Sequence, residues 1–290
     1  MNSTLQPISP PEIERLVSWM LERHGHDFHD YSSESLARRV RYALDCSGKA
    51  SVQALIHAVD AGALPFEDML HFLTVQVSEM FRDPDYFISL RENVLPILHT
   101  YPSLRLWVAG CSSGEEAYSL AILLHEEGLL ARTVIYATDI SAHALDRAKK
   151  GIYPLSRLQT YTRNYQLAGG QCVFSDYYTA AYDSVVLDAE IRRRITFAEH
   201  SLATDAVFAE MNLISCRNVL IYFNRTLQDR ALSLFNGALC RHGFLGLGNK
   251  EKVEFTPTGR RFEPFDYVNS IYRKKLFPNH DRSGVNHGRI

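Results

Sequence analysis

The chain has 290 residues, of which 46% are hydrophobic and 22% charged, enough for one large or two modest globular domains. Its formal net charge of −2 gives no positive field for nucleic acid or a membrane surface, and we expect neither partner. The five cysteines are dispersed, which indicates reduced thiols. Without a secretory leader pattern or a long apolar run, we predict a cytoplasmic protein with no membrane insertion, and we expect a monomer.

The first hundred residues predict an all-helical domain. Residues 1–10 are polar and contain prolines, so we expect a loose arm there. Amphipathic spacing without strand signals then predicts five helices in succession. These helices cover about residues 11–25, 32–48, 51–62, 65–73 and 84–98.

Residues 101–290 predict an α/β domain. Strands and helices alternate from Leu104 to about residue 150, which favours a parallel sheet with right-handed crossovers. A change of pattern at about residues 165–197 predicts a small β subdomain with short antiparallel strands at 172–178, 183–187 and 191–197, the last leading back to the main sheet. Further strands are predicted at 211–216 and 243–248, a helix at 225–239, and a hairpin at 262–276. The polar tail, residues 278–290, is predicted to be disordered.

The first strand of this domain is followed by a glycine turn. Gly110 and Gly114 allow the backbone to turn tightly and to approach a ligand at the carboxyl end of the strand. Glu115 and Glu116 then open a helix, where they would repel a pyrophosphate and favour a cationic ligand. Asp139 ends the next strand, a position suited to ribose hydroxyls. The combination indicates S-adenosylmethionine, although an ordinary βαβ unit with a tight turn has the same pattern.

Several motifs occur in a fixed order along the chain. They are Phe81-Arg82-Asp83, Gly110 to Tyr118, Asp139, Gly151-Ile152-Tyr153, and Cys216-Arg217-Asn218-Val219-Leu220-Ile221-Tyr222-Phe223. Over nearly the whole chain, this set resembles the CheR family of chemoreceptor protein-glutamate O-methyltransferases. The resemblance implies a class I, Rossmann-like methyltransferase sheet, S-adenosylmethionine as methyl donor and S-adenosylhomocysteine as product.

The resemblance also implies roles for individual residues. Glu116 and Asp139 correspond to the positions that hold the methionine part and the ribose of the cofactor, and Arg82 and Tyr222 to two catalytic side chains beside the transferable methyl group. The full set expected at the cofactor is Gln76, Ser78, Arg82, Gly110, Glu116, Asp139, Ser201, Leu202, Cys216 and Arg217.

The sequence departs from the family pattern at several of these positions. Gln76 and Ser201 stand where we expect asparagine, Ser78 where we expect threonine, and Asn249-Lys250-Glu251 replaces a more usual Ser-Glu ending. All the replacements are polar and keep some hydrogen-bonding capacity. They therefore bear on cofactor affinity more than on the identity of the site.

Glutamate methylation suits this set of side chains. A glutamate with a pKa of about 4.3 is already ionised at neutral pH, so no general base is required. The enzyme must align the reacting atoms and exclude water. Arg82 could orient the acceptor carboxylate, and the Tyr222 hydroxyl could donate a hydrogen bond near the methyl group or the acceptor.

Two surfaces could bind the protein substrate. Arg38, Arg39 and Arg41 are either the solvated side of an amphipathic helix or a docking face for an acidic methylation helix of a receptor. The β subdomain could bind a receptor tail peptide by strand addition, as in some family members. The sequence does not decide whether a tail is required.

Other residues receive simpler interpretations. The stretch from His24 to Asp30 contains three histidines but is interpreted as a solvated loop, so no metal site is predicted. Cys216 is expected to be a buried thiol in the pocket wall and not a nucleophile. Arg192, Arg193 and Arg194 are expected to form a charged strand edge.

Three functions therefore compete. The favoured one is a methyltransferase that esterifies glutamates of a chemoreceptor or related signalling protein. A small-molecule methyltransferase on the same sheet is one alternative, and a catalytically weak or inactive cofactor-sensing interaction module is the other.

Overall fold

The structure is a computed structural model that describes residues 8–276. Residues 1–7 of the predicted arm and the predicted tail, residues 278–290, lie outside the described residues. Within residues 8–276, no helix combines the length and apolar composition needed to cross a membrane.

The N-terminal part of the chain is helical. The Glu12 carboxylate accepts a hydrogen bond of 2.9 Å from Ser9 N. Pro10 occupies the first helical position, where an N–H would have no acceptor within the helix. Gly25 and Gly48 end the first two helices in left-handed conformations, with φ of 74° and 65°. The helices are α1 (Pro10–His24), α2 (Ser33–Ser47), α3 (Val52–Asp60), α4 (Phe66–Leu73), α5 (Pro84–Ser89) and α6 (Leu95–Leu98).

The five predicted helices are confirmed, with one difference in the last. A π turn, Leu90–Val94, separates α5 from α6 within the segment that was expected to be one regular helix. Pro96 lies two residues after this turn and has no N–H to donate to the helical ladder. The π turn thus lies next to the break in the helical hydrogen bonds that Pro96 causes.

The remainder of the chain alternates strands and helices. In chain order the elements are β1 (Leu104–Ala109), α7 (Glu115–Glu126), β2 (Thr133–Asp139), α8 (Ala142–Lys150), β3 (Ile152–Pro154), α9 (Leu158–Leu167), β4 (Tyr178–Ala181), β5 (Ser184–Leu187), α10 (Ala189–Arg192), β6 (Ile195–Glu199), β7 (Met211–Cys216), α11 (Arg225–Ala238), β8 (Leu239–Leu247), β9 (Phe262–Asp266) and β10 (Ile271–Lys274).

Seven of these strands form one mixed sheet in the order β6-β2-β1-β7-β8-β10-β9. The first five strands in this order are parallel, and β10 and β9 are antiparallel at the opposite edge. Buried apolar side chains cover both faces of the sheet. The predicted α/β class with a Rossmann-like sheet and a terminal hairpin is therefore confirmed. The carboxyl ends of β1, β2, β6 and β7 all lie at one end of the sheet.

The small antiparallel sheet differs from its prediction. Its strand order is β3-β5-β4, so one of its three strands is Ile152–Pro154, which precedes the expected start at about residue 165. Residues 172–177 do not form the predicted strand, because Phe174–Tyr177 is a 3-10 turn and β4 begins only at Tyr178. The sheet thus lies between residues 152 and 187, while the domain limits themselves stay a prediction.

The predicted strand over residues 191–197 is also wrong in its first half. Asp188 accepts a hydrogen bond of 2.6 Å from Glu190 N and so caps the short helix α10. Arg192 lies in that helix, and its Nε donates to Leu187 O at 3.0 Å. The strand β6 begins at Ile195 and pairs with β2 in the main sheet. The three arginines therefore do not form a charged strand edge.

The helical layer lies against the carboxyl end of the main sheet. Helices α1 to α4 enclose their own apolar core, and Ile140, directly after β2, packs against it. Tyr31 forms an isolated bridge with Phe223, and their rings are 5.0 Å apart. Ser32 N, at the start of α2, donates to Tyr222 O at 2.8 Å. The two layers consequently meet where an open α/β sheet binds its ligands.

The close packing of α5 on β8 leaves no room for a side chain at Gly246. A Cβ at this position would overlap the Tyr86 hydroxyl oxygen and lie 2.8 Å from the ring atoms Cε2 and Cζ. Tyr86 is fully buried and cannot swing away. We expect Gly246→Ala to lower the free energy of unfolding by about 1–3 kcal/mol, as for other overpacked cores. Urea denaturation measures the change.

Gly237→Ala is the matched control. Gly237 is exposed in α11, and a Cβ there would meet only the half-exposed Val207, at 3.3 Å. Because alanine is the better helix former, we expect a change of less than about 1 kcal/mol. Equal effects of the two substitutions would contradict the close packing of Tyr86 on Gly246.

Candidate functional site

A cleft of about 1100 Å³, counted out to its open side, separates the helical layer from the carboxyl end of the main sheet. One wall comes from α2 and the segment that follows α4. The other wall comes from the loops after β1, β2, β6 and β7. Both layers are therefore needed to form the cleft.

The loop after β1 forms the floor of the cleft. Gly110 N and Cys111 N both donate to Thr138 O at 2.8 Å, which ties the turn to the end of β2. Gly110 has φ of 72°, and a Cβ on it would lie 2.5 Å from Val219 Cγ2. Glycine is therefore required here by both backbone conformation and space.

Asp139 is held at the end of β2 by its neighbours. Its Oδ2 accepts from Ser112 N at 2.8 Å and its Oδ1 from Ser141 N at 3.0 Å. Burial raises the pKa of this carboxyl group, and hydrogen bonds from the backbone of Ser141, Ser112 and Ile140 oppose the increase. Each carboxylate oxygen keeps a second lone pair for a ligand.

A buried arginine connects three parts of the cleft. Arg217 has a fully buried side chain, and it donates to Glu116 Oε2 at 3.1 Å and to Asp83 Oδ2 at 2.7 Å. Its guanidinium carbon lies 4.1 Å from the centroid of the Tyr86 ring. The other Glu116 oxygen, Oε1, accepts from Ser215 Oγ at 2.7 Å. The Glu116 carboxylate is therefore fixed from two sides before any ligand arrives.

The open corner of the cleft is basic. Arg82 and Tyr222 both line it, together with Arg39 from α2. Burial raises the pKa of the Tyr222 hydroxyl, and the positive charges of Arg82, Arg38 and Arg39 oppose the increase. A phenol and a group of arginines thus share this corner.

The three arginines of α2 are in different environments. Arg39 donates to Phe72 O and, at 2.8 Å, to Thr74 O, so it fastens the segment that follows α4. Burial lowers its pKa. Arg38 and Arg41 are exposed and lie outside the cleft lining. The docking face predicted from this trio stays a prediction for its two exposed members.

The segment after α4 also contacts the glycine turn directly. Ser112 Oγ donates to Gln76 Oε1 at 2.7 Å, and Gln76 Nε2 donates to Thr74 Oγ1 at 2.9 Å. Ser78 lies on the same segment and faces the cleft. The glutamine found here in place of the expected asparagine therefore links the two walls.

Most of the predicted site residues come together. Those that line the cleft are Gln76, Ser78, Arg82, Gly110, Glu116, Asp139, Leu202, Arg217 and Tyr222. Ser201 and Cys216 do not line it. The Ser201 hydroxyl accepts from Ala203 N at 3.3 Å, and Cys216 is buried in the core beneath the loop, where burial raises the pKa of its thiol well above the ordinary value.

The sequence interpretation missed three aromatic lining residues, Tyr31, His200 and Phe223. Tyr31 comes from the helical layer, where nothing in the local sequence marks it. His200 packs edge-on against Trp107, with ring centroids 5.2 Å apart, and its Nδ1 is buried without a hydrogen-bond partner among residues 8–276.

Comparison with known families identifies the fold and the cleft. The family profile described as CheR methyltransferase, SAM binding domain, matches residues 76–267, which include six of the seven strands of the main sheet, all but β10, and most of the cleft. The chain belongs to the CheR methyltransferase family. It is accordingly an S-adenosylmethionine-dependent methyltransferase.

Relatives in the CheR family are similar over most of the chain. A Pseudomonas putida protein, provisionally named methyltransferase Cher3, is 52% identical over 91% of this chain and 96% of its own length. The chemotaxis protein methyltransferase of Listeria innocua is 32% identical, over 79% of this chain and 85% of its own. That of Salmonella typhimurium is 26% identical over 84% of both.

The chemistry of the cleft fits the CheR cofactor. Two carboxylates, Asp139 and Glu116, offer acceptors to ribose hydroxyls and to a positively charged group. Gly110 lines the cleft and has no side chain, so a ligand can approach its backbone directly.

The cysteines of this CheR protein differ sharply in accessibility. Cys46 and Cys172 are exposed, whereas Cys111 and Cys216 are buried and burial raises the pKa of both thiols. We expect iodoacetamide to modify Cys46 and Cys172 in the folded protein and to leave the two buried thiols intact. Mass spectrometry of tryptic peptides measures this. Full reaction in guanidinium is the control, and rapid native-state modification of Cys216 would revive its role as a nucleophile.

Proposed function

We propose that this CheR protein transfers a methyl group from S-adenosylmethionine to glutamate side chains of a chemoreceptor or related signalling protein, and acts in chemotaxis. The observation that carries the proposal is the basic corner of the cleft, where Arg82 and Tyr222 lie together. A cation at the mouth of the site suits an anionic acceptor. The names of the Listeria and Salmonella relatives support the pathway.

On the cofactor side, we assign separate tasks to the two carboxylates. Asp139 accepts hydrogen bonds from ribose hydroxyls with the lone pairs that its backbone donors leave free. Glu116 faces the positively charged methionine part, with its orientation set by Ser215 and Arg217. Gln76, Ser78, Leu202 and the Gly110 backbone complete the wall.

On the acceptor side, the task is alignment. Bound S-adenosylmethionine supplies an electrophilic methyl group on a positively charged sulfur. The acceptor glutamate is ionised at neutral pH, so neither Arg82 nor Tyr222 has to remove a proton. Arg82 orients the acceptor carboxylate, and the Tyr222 hydroxyl donates a hydrogen bond beside it. The half-buried corner excludes much of the water that would otherwise solvate the nucleophile.

The substrate protein has to reach this corner from outside. Arg38 and Arg41 are exposed on α2, next to the layer that carries Arg39 into the cleft. We assign to them the attraction of an acidic receptor helix. Among residues 8–276, β4 is paired on one side only, by β5, and its free edge is the place where a receptor tail peptide would add as a strand.

The proposal is tested by a methyl ester assay. The protein, labelled S-adenosylmethionine and the receptors of the same organism are incubated together, and base-labile radioactive methanol is measured. We expect label in the receptor, and we expect Arg82→Ala to lower its rate of formation by about 100-fold or more, since the acceptor loses its orienting group. Arg105→Ala is the control, because Arg105 is an exposed residue of β1 outside the cleft.

Two other outcomes of this assay would each favour one of the alternative functions. Label in a small molecule would favour the small-molecule methyltransferase. Binding of S-adenosylhomocysteine with no methyl transfer to any receptor would favour the interaction module.

A second prediction concerns pH. Burial raises the pKa of Asp139 above its ordinary value of 3.8, so the group protonates at a higher pH than a solvent-exposed aspartate. We expect the affinity for S-adenosylhomocysteine to weaken as the pH falls towards that raised pKa. Asp139→Asn should bind at least about tenfold more weakly at neutral pH, because hydrogen bonds to a charged acceptor are lost.

Calorimetric titration across pH measures both effects. In Asp139→Asn the acid-side weakening that belongs to this carboxyl group should disappear. Equal pH dependence in the two proteins would assign the effect to another group, and unchanged affinity in the variant would remove Asp139 from the ribose site.

A further inference from the structure

We propose that Glu251 is a positioning residue for methyl transfer, because its carboxylate holds the loop from Asn218 to Tyr222 and thereby places the Tyr222 ring at the cleft. This inference rests on the role proposed above for Tyr222. Glu251 itself does not line the cleft, and it acts only through the loop.

The Glu251 carboxylate is bonded to backbone N–H groups from two segments. Its Oε2 accepts from Gly248 N at 2.6 Å and from Asn218 N at 2.9 Å, and its Oε1 accepts from Ile221 N at 3.2 Å. Its own N–H donates to Gly248 O at 2.8 Å. One buried side chain therefore joins the turn after β8 to both ends of the loop after β7.

Both oxygens of a carboxylate are needed for this arrangement. A glutamine would offer one oxygen, and its amide NH2 would face one of the backbone N–H donors. Glu251 is only 4% exposed, so water cannot easily replace a lost acceptor. The N–H donors would then be left unsatisfied, and the loop would move to recover partners.

The loop depends on this support because its own conformation is unusual. Asn218 has a left-handed backbone with φ of 63°, which costs free energy for a residue other than glycine. The residues that follow form a single 3-10 turn, Leu220–Tyr222, closed by a bond from Phe223 N to Leu220 O at 3.0 Å. A short turn of this kind has little rigidity of its own.

Tyr222 comes directly after the bonded N–H of Ile221. On its other side, Tyr222 O accepts from Ser32 N of the helical layer. Tyr222 is thus held between Glu251 on one side and α2 on the other. Loss of the bonds to Glu251 would move the Tyr222 hydroxyl relative to Arg82. A shift of about 1 Å at a reacting centre is sufficient to slow catalysis by about 100-fold.

Gly248 shows how closely the carboxylate is packed. A Cβ there would lie 2.8 Å from Glu251 Oε2 and 2.9 Å from Asn218 N. Gly248→Ala therefore disturbs the same contacts without removing the charge. It provides a second variant, with an independent risk of misfolding.

The test is a double-mutant cycle with Glu251→Gln and Tyr222→Phe in the methyl ester assay. We expect Glu251→Gln to lower kcat about 10- to 100-fold, and Tyr222→Phe to add less than about threefold in that background, because the hydroxyl is already misplaced. Glu254→Gln is the matched control, since Glu254 is an exposed glutamate three residues away. It should leave kcat unchanged.

Hydrogen exchange gives a readout without turnover. Amide exchange across residues 218–222 should be at least about tenfold faster in Glu251→Gln than in the wild type, and unchanged in Glu254→Gln. If Glu251→Gln does not fold, Gly248→Ala takes its place in both measurements.

The outcomes separate the two proposals. A wild-type protein that forms no methyl ester rejects the proposed function. Additive losses in the cycle, or an unchanged kcat in Glu251→Gln, reject the positioning role, and so does unchanged exchange at residues 218–222 whether or not the protein turns over.

Discussion

The ion pairs of Arg217 are the interaction on which the site depends most. Removal of a guanidinium from water costs several kcal/mol unless its partners compensate, and here two carboxylates and an aromatic face surround it. The partners come from different elements: Glu116 from α7, and Asp83 from the segment before α5. Loss of either carboxylate would leave a buried charge with half of its compensation. The cleft floor is therefore fixed by charge pairing as well as by apolar packing.

This pairing explains how a strained segment can stand beside the reacting groups. Phe81 and Asp83 both have left-handed backbones, with φ of 52° and 54°, on either side of Arg82. Phe81 N donates to Ser119 Oγ at 2.8 Å, and Arg217 binds both Asp83 and the carbonyl of Arg82. These hydrogen bonds compensate for the backbone strain. They also fix the backbone from which the Arg82 side chain projects. In the proposed function, Arg82 aligns the acceptor carboxylate without binding it too strongly, and a fixed backbone favours that role.

The parts of the site that the sequence predicted are local ones. The glycine turn and the acid at the end of β2 follow from patterns of a few residues, and the fold places them side by side because parallel strands end together. The role of Glu251 could not be found in this way, since its N–H partners Asn218 and Ile221 lie 33 and 30 residues away along the chain and come close where β8 pairs with β7. The environment of Arg39 was missed for the same reason. Short strands such as β3 give too weak an alternation to be recognised, which is why the small sheet was placed too late.

The helical layer is consequently part of the active site and more than a cover for it. Arg39 fixes the segment that carries Gln76, and Gln76 in turn accepts from Ser112 in the glycine turn. Ser32 supports the Tyr222 backbone from the same layer. A movement of α2 would therefore reach both the segment that carries Gln76 and the Tyr222 backbone, through the side-chain and backbone hydrogen bonds that join them. In the proposed function, a substrate protein that docks on the exposed side of α2 would contact an element that is linked to both walls of the cleft.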